Sequence, residues 1–227
     1  MSFRIDVVTI FPDFFKSPLS QSLLGKAIQK GALDLRVHNL RDYTHDRHKT
    51  VDAKPFGGGP GMVMKPGPIF DCVEAIRGPE AWVIVLDAKG SKFTQRVARR
   101  LSEKSQIILI AGHYEGIDHR VHEHLADEVL SVGDFVCMGG EAPSLSMIEA
   151  VVRLRPGILG NQESLKEESF ESDELEYPQY TQPRDFRGWT VPEVLVSGHH
   201  EKIKKWRKQA SHQATRKHRP DLKNRES

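Results

Sequence analysis

Clustered glycines are the first feature of this sequence that could do chemistry. They occur as Gly57-Gly58-Gly59-Pro60-Gly61, as Gly112-His113-Tyr114-Glu115-Gly116, and as the stretch from Gly133 to Gly139-Gly140. The familiar phosphate motifs do not fit them. The first cluster lacks the Gly-Lys-Ser/Thr that gives a P-loop its lysine and its magnesium-binding hydroxyl. No expected strand leads into G-x-G-x-x-G with an acid about 20 residues further on, as a dinucleotide site requires. One such cluster reads as a tight turn. Three within residues 57–140 predict a site of bare main-chain N–H and C=O groups, suited to an adenine edge and a ribose rather than a triphosphate. A side chain at Gly140 is then expected to intrude on the ligand.

Metal chemistry is not expected. His119 and His122 share a helical face that His124 leaves, and zinc sites need three or four converging ligands. Cys72 and Cys137 have no partners at metal spacing, and Cys137 reads as a small packing residue in its loop.

The elements that must position these loops alternate along the chain. Strands are expected at 3–10, 33–37, 82–86, 107–111 and 129–132. Helices are expected at 19–30, 68–76, 94–101, from about Asp118, and at 143–154. This is an α/β pattern, a mostly parallel sheet with helices on both faces, ending near Gly160. Residues 161–176 form an expected flexible linker, with seven acids and one lysine between 163 and 176. Residues 177–227 form a small helical unit, in which residues 201–227 carry ten Lys/Arg against three acids. Net charge is only +2, from 33 Lys+Arg and 31 Asp+Glu, so the asymmetry is local and marks the tail for a polyanion. The longest apolar run, 81–86, is too short to span a bilayer, and the charged N-terminus is unlike a signal peptide. With two cysteines, a cytoplasmic location is expected.

Four motifs carry a resemblance: Phe56-Gly57-Gly58-Gly59-Pro60-Gly61-Met62; Gly112-His113-Tyr114-Glu115-Gly116-Ile117-Asp118; Val132-Gly133-Asp134-Phe135-Val136 with Gly139-Gly140-Glu141; and Val196-Ser197-Gly198-His199-His200-Glu201. In order and spacing, from about residue 3 to about residue 222, the chain resembles the bacterial tRNA (guanine-37-N1)-methyltransferases. The resemblance implies a trefoil-knotted α/β domain of the SPOUT class at 1–160 and a small helical tRNA-binding domain at 177–227. It implies S-adenosylmethionine held by Leu86, Gly112, Tyr114, Glu115, Gly116, Val132, Gly133, Asp134, Phe135, Val136, Cys137, Gly139, Gly140 and Pro143. It implies a homodimer whose partner completes each site, and a methyl group delivered to N1 of the guanine just 3′ of the anticodon. Magnesium is left open.

Guanine N1 carries a proton and is a poor nucleophile until it leaves, so the reaction needs a base at N1 and a cation or donor near O6. The resemblance places the base on Glu168, where relatives carry aspartate, with Glu167 next and Asp173 third. It places the assisting arginine on Arg153. Phosphate contacts are expected from Lys202, Lys204, Lys205, Arg207, Lys208 and Arg216, with Arg41, Arg47, His48 and Lys49 a second basic stretch. Further departures are His113 for a common arginine, Phe56 for tyrosine, and Asp87-Ala88-Lys89-Gly90, which lacks a usual proline. Two rival readings are an RNA-binding protein without catalysis and a knotted methyltransferase acting on a ribose 2′-hydroxyl.

Overall fold

A computed structural model describes residues 3–160, 165 and 167–224. The chain divides into two compact units, 1–160 and 161–227.

In the first unit, β1 (Phe3–Thr9) leads to a short helix α1 (Lys16–Leu19) and to α2 (Ser22–Gln29). The single helix expected over 19–30 is thus interrupted at Ser20–Gln21. Next come β2 (Leu33–Asn39), the small hairpin strands β3 (Asp52–Ala53) and β4 (Val63–Met64), and α3 (Pro66–Ile76), which starts on proline at its first turn. Then follow β5 (Ala81–Lys92), α4 (Gln95–Ser102), β6 (Gln106–Ala111), α5 (His119–His124), β7 (Glu128–Ser131) and α6 (Glu141–Val152). Side-chain caps start two of these helices, Thr94 accepting from Val97 N–H and Asp118 from Arg120 N–H.

Five strands form one parallel sheet in the order β2-β1-β6-β5-β7. Its central strands are continuous Val/Ile/Leu runs because both faces are covered. Val8, Ile110 and Val85 pair in register and share one face, where they pack with Ile69, Cys72 and Val73 of α3 and Val121 of α5. Val7, Leu109 and Ile84 point the other way, toward the side where α6 meets α4, β1 and β6. Burial of each such side chain contributes about 1.5–3 kcal/mol. The expected parallel sheet with helices on both faces is present.

β5 is longer than expected. Leu86 and Ser91 both lie opposite Leu130 of β7, so residues 87–90 form an excursion between two paired segments of one strand.

The second unit contains a hairpin, β8 (Asp185–Phe186) with β9 (Trp189–Thr190), and one long helix, α7 (His200–His218). The acidic stretch is tied to that helix from residue 167 on. Leu175 N–H donates to the Thr215 hydroxyl at 2.9 Å, and Glu174 faces His212 at 3.1 Å. Side-chain hydrogen bonding from His212 comes first among the causes that hold the Glu174 carboxyl below its usual range. Residues 161–164, within the stretch expected to be linker, lie outside the described residues. Among the described residues, no helix is long and apolar enough to cross a membrane.

Candidate functional site

Open α/β sheets bind ligands beyond the carboxyl ends of their strands. The first unit has a cleft there, about 280 Å³, built from the 87–90 excursion of β5, the loop after β6 and the loop between β7 and α6. Of the residues expected to hold a cofactor, Leu86, Gly112, Tyr114, Glu115, Gly116, Val132, Phe135, Val136, Cys137, Gly139, Gly140 and Pro143 line it. Gly133 and Asp134 do not. A Cβ on Gly133 would stand 2.5 Å from the Phe135 ring, so this glycine makes room for that ring. Asp134 turns outward to Lys92 at 2.9 Å.

The lining also includes Asp87, Ala88, Lys89, His113 and Met138, inside the loops 86–90, 112–116 and 132–140 that the resemblance implies, and Ile117, Leu130 and Ser131, which lie outside them. The missing proline put Lys89 in doubt as a cofactor contact, and Lys89 lines the cleft. The first glycine cluster does not line the cleft. It abuts the cleft wall, where the missing Cβ of Gly61 makes way for the Glu115 side chain and Glu115 N–H donates to the Met62 carbonyl at 3.0 Å.

Close approach of main chain to main chain shapes the floor. Gly140 N–H donates to the Gly112 carbonyl at 2.7 Å, and a Cβ on Gly140 would stand 2.7 Å from Ala111 Cα. The requirement for glycine at 140 therefore comes from the protein's own backbone. That corrects the expectation that a side chain there would meet the ligand first. Tyr114 (φ +61°) and Gly116 (φ +125°) turn the loop after β6 through the left-handed region, closed by Gly116 N–H on the His113 carbonyl at 3.2 Å.

Polar groups around the cleft are paired across elements. Asp87 Oδ1 accepts Lys89 N–H at 2.9 Å, and its Oδ2 lies 3.1 Å from His122 Nε2. Glu141 accepts the Thr9 hydroxyl at 2.8 Å and faces His113 at 3.6 Å. Asp118, capping α5, is held below the usual carboxylate range chiefly by the Arg120 side chain. Away from the cleft, burial pushes the Cys72 thiol up to about 12, whereas Cys137 is exposed. His119 stacks on His122 at 5.4 Å, but His122 is engaged by Asp87. No group of three or more His, Cys, Asp or Glu among the described residues could hold a metal ion.

The residues expected to run the chemistry fall in different units. Arg153 is the C-cap of α6, and Glu168 belongs to the second unit. Beside it in sequence, Glu167 accepts the Tyr177 hydroxyl at 2.9 Å and lies 3.6 Å from Arg207, whose guanidinium sits 4.7 Å over the Tyr177 ring. Arg207 is thus engaged within its own unit. Lys202, Lys204, Lys205, Lys208 and Arg216 are exposed on α7.

The first unit is a parallel α/β domain, covered on both faces, with a nucleoside-sized cleft at the carboxyl ends of its strands. The family described as tRNA (Guanine-1)-methyltransferase TrmD matches residues 3–225, and the chain belongs to that family. A tRNA (guanine-N(1)-)-methyltransferase of Dictyoglomus turgidum is 52% identical over 219 residues, covering 96% of this chain and 89% of the relative. One of Gloeobacter violaceus is 53% identical over 222 residues, covering 96% and 97%. One of Geobacillus kaustophilus is 48% identical over 221 residues, covering 96% and 91%.

Proposed function

We propose that this chain transfers a methyl group from S-adenosylmethionine to N1 of the guanine at position 37 of tRNA. The observation that carries this reading is family membership over nearly the whole chain. The cleft supports the choice of donor. Leu86, Ile117 and Phe135 offer apolar surface to a flat purine, and Asp87 and Glu115 against a single Lys89 favour a cationic ligand. When bound, S-adenosylmethionine supplies an electrophilic methyl carbon, whose bond to sulfur breaks as the bond to N1 forms.

The chain's own residues do the remaining work. Glu168 accepts the N1 proton, and Arg153 supports the negative charge that gathers on O6. Glu168 comes first because it stands where the relatives carry aspartate, and Glu167, which meets Tyr177 and Arg207, comes next. The same reading includes a trefoil knot within 1–160, a linker function for 161–176, tRNA binding by 177–227, and a homodimer in which the partner completes each site.

The test is to incubate the full chain with S-adenosylmethionine and an unmodified tRNA transcript, then map methylated nucleosides by mass spectrometry. 1-Methylguanosine at position 37, and none in a transcript with adenosine there, is expected. A methyl group on a ribose 2′-hydroxyl would replace this reading with another methyltransferase activity. RNA binding without methylation would leave a binding protein.

A further inference from the structure

The cleft holds one polar arrangement that the reaction outlined above does not use. Glu141 is the first residue of α6, and its side chain is only 5% exposed. One of its oxygens, Oε1, accepts the Thr9 hydroxyl at 2.8 Å. The other, Oε2, faces Nδ1 of His113 at 3.6 Å. That Nδ1 is buried and has no hydrogen bond. Residue 139 sits against both atoms, and a Cβ there would overlap each of them. Glycine at 139 is what lets the carboxylate and the imidazole meet.

The imidazole is fixed on its other sides as well. Its ring centroid lies 4.9 Å from that of Phe11 and 5.2 Å from that of Tyr114, both in edge-on contact. Its main-chain N–H points to Met64 Sδ at 3.1 Å. The side chain keeps 23% of its exposure and lines the cleft. Nδ1 contributes none of that exposure, and Nε2 is the ring's other polar atom.

An ionised carboxylate only accepts hydrogen bonds, so it repels a ring-nitrogen lone pair and attracts an N–H. In a neutral imidazole, a proton on one nitrogen leaves the other as an acceptor. We propose that Glu141, steadied by Thr9, holds the His113 proton on Nδ1 and thereby presents Nε2 to the cleft as a hydrogen-bond acceptor. The group it takes is an N–H donor of the nucleoside ligand, so the inference rests on the S-adenosyl reading of the cleft. Glu141 is a positioning residue that acts through His113. His113 favours a ligand that offers N–H over one that offers a lone pair, since mismatched polar groups are costly when desolvated.

Two measurements on the full chain test this. In ¹⁵N-histidine-labelled protein without ligand, long-range ¹H–¹⁵N correlation reports which ring nitrogen carries the proton, and the His113→Asn variant assigns the signal. His113 is expected as the Nδ1–H form in the native protein, with the proton shifted toward Nε2 in Glu141→Gln, whose amide can donate to Nδ1. A native His113 in the Nε2–H form would overturn the proposal, even if Glu141→Gln failed to fold. Calorimetry with S-adenosylhomocysteine gives the second readout. His113→Asn keeps an N–H toward Glu141 but has no atom at Nε2, and loss of that hydrogen bond should weaken binding about tenfold. Unchanged affinity would make the pair a structural tie only and end the acceptor role. Native protein that binds no S-adenosylhomocysteine would sink the donor reading of the cleft, while the NMR result still decides the tautomer.

Discussion

Asp87 and His122 meet at 3.1 Å, Oδ2 to Nε2, and fasten the excursion of β5 to helix α5. The same carboxylate caps its own turn by accepting Lys89 N–H at 2.9 Å. Together these contacts supply the rigidity that a proline would otherwise give this segment. Asp87→Ala should weaken S-adenosylhomocysteine binding by about tenfold, the worth of one to two hydrogen bonds. Asp87→Asn, which keeps an acceptor for Lys89, should lose less. Equal losses in the two variants, measured by calorimetry, would show that turn capping contributes nothing.

Two glycines should respond in opposite ways to alanine. At Gly140 the added Cβ meets main-chain atoms of Ala111 and Gly112, which cannot yield. Gly140→Ala should destabilise the fold by about 1–3 kcal/mol, the cost of overpacking, before any ligand is added. Gly67 lies inside α3 with nothing within 4 Å of an added Cβ. Gly67→Ala should be neutral or stabilising by up to about 1 kcal/mol. Thermal melts of the ligand-free proteins compare them directly.

Asp6 gives the fold an acid-sensitive joint. It is fully buried and accepts from Arg4, His38 and Gln106. Burial alone would raise its pKa, but the hydrogen bonds from His38, Arg4 and Gln106 together outweigh it and leave the value lowered. A carboxyl depressed in the folded state contributes stability that is present above its unfolded pKa of about 3.9 and is lost as pH falls through the folded value. Denaturant titrations between about pH 5 and pH 2 should therefore show stability falling more steeply in the native chain than in Asp6→Asn. Equal slopes would remove Asp6 from the acid limb.

The exposed cations of α7 should act through phosphate. Replacing Lys204, Lys205 and Lys208 together should flatten the log–log dependence of tRNA affinity on salt, since each lost phosphate contact removes nearly one unit of slope. Arg207 belongs outside that set because it is bound to Glu167 and Tyr177. Arg207→Ala should instead lower the stability of the second unit, read as protease sensitivity of the folded chain.

For the proposed base, Glu168→Gln should lower the single-turnover methylation rate by about 10²–10⁴ at saturating tRNA. Affinity for S-adenosylhomocysteine should stay the same. A near-normal rate would move the proton acceptor elsewhere, to Glu167 first.

Sequence was most informative where burial is two-sided. The run from Ile107 to Ile110 reads as a strand because every side chain in it is buried, and α4 reads as a helix because Thr94 caps it and Ala98 and Leu101 face inward. Glycine clusters pointed to two of the three walls of the cleft. The third wall was marked by the resemblance alone, because Asp87-Ala88-Lys89-Gly90 has the composition of any surface turn, and its pairing partner, Leu130, lies far along the chain. The acidic stretch shows the same limit. Its charge predicts solvation, but its anchors are the Leu175 main chain and the Thr215 hydroxyl, which leave no compositional mark. The pairing of His113 with Glu141 was passed over because the two lie 28 positions apart in the chain and only the fold brings them together.

The double pairing of β5 fixes the length of its excursion. Leu86 and Ser91 both stand opposite Leu130, so the segment between them is a ring closed by the sheet itself. Side chains alternate faces along a strand, and one residue more or less turns all that follow to the opposite side. Removing Ala88 would leave three residues to close that ring, and where they cannot span it Ser91 and Lys92 invert, carrying Lys92 away from Asp134. Substitution within this wall is open to evolution one residue at a time. A change in its length is not, unless the edge strand β7 shifts its register with it.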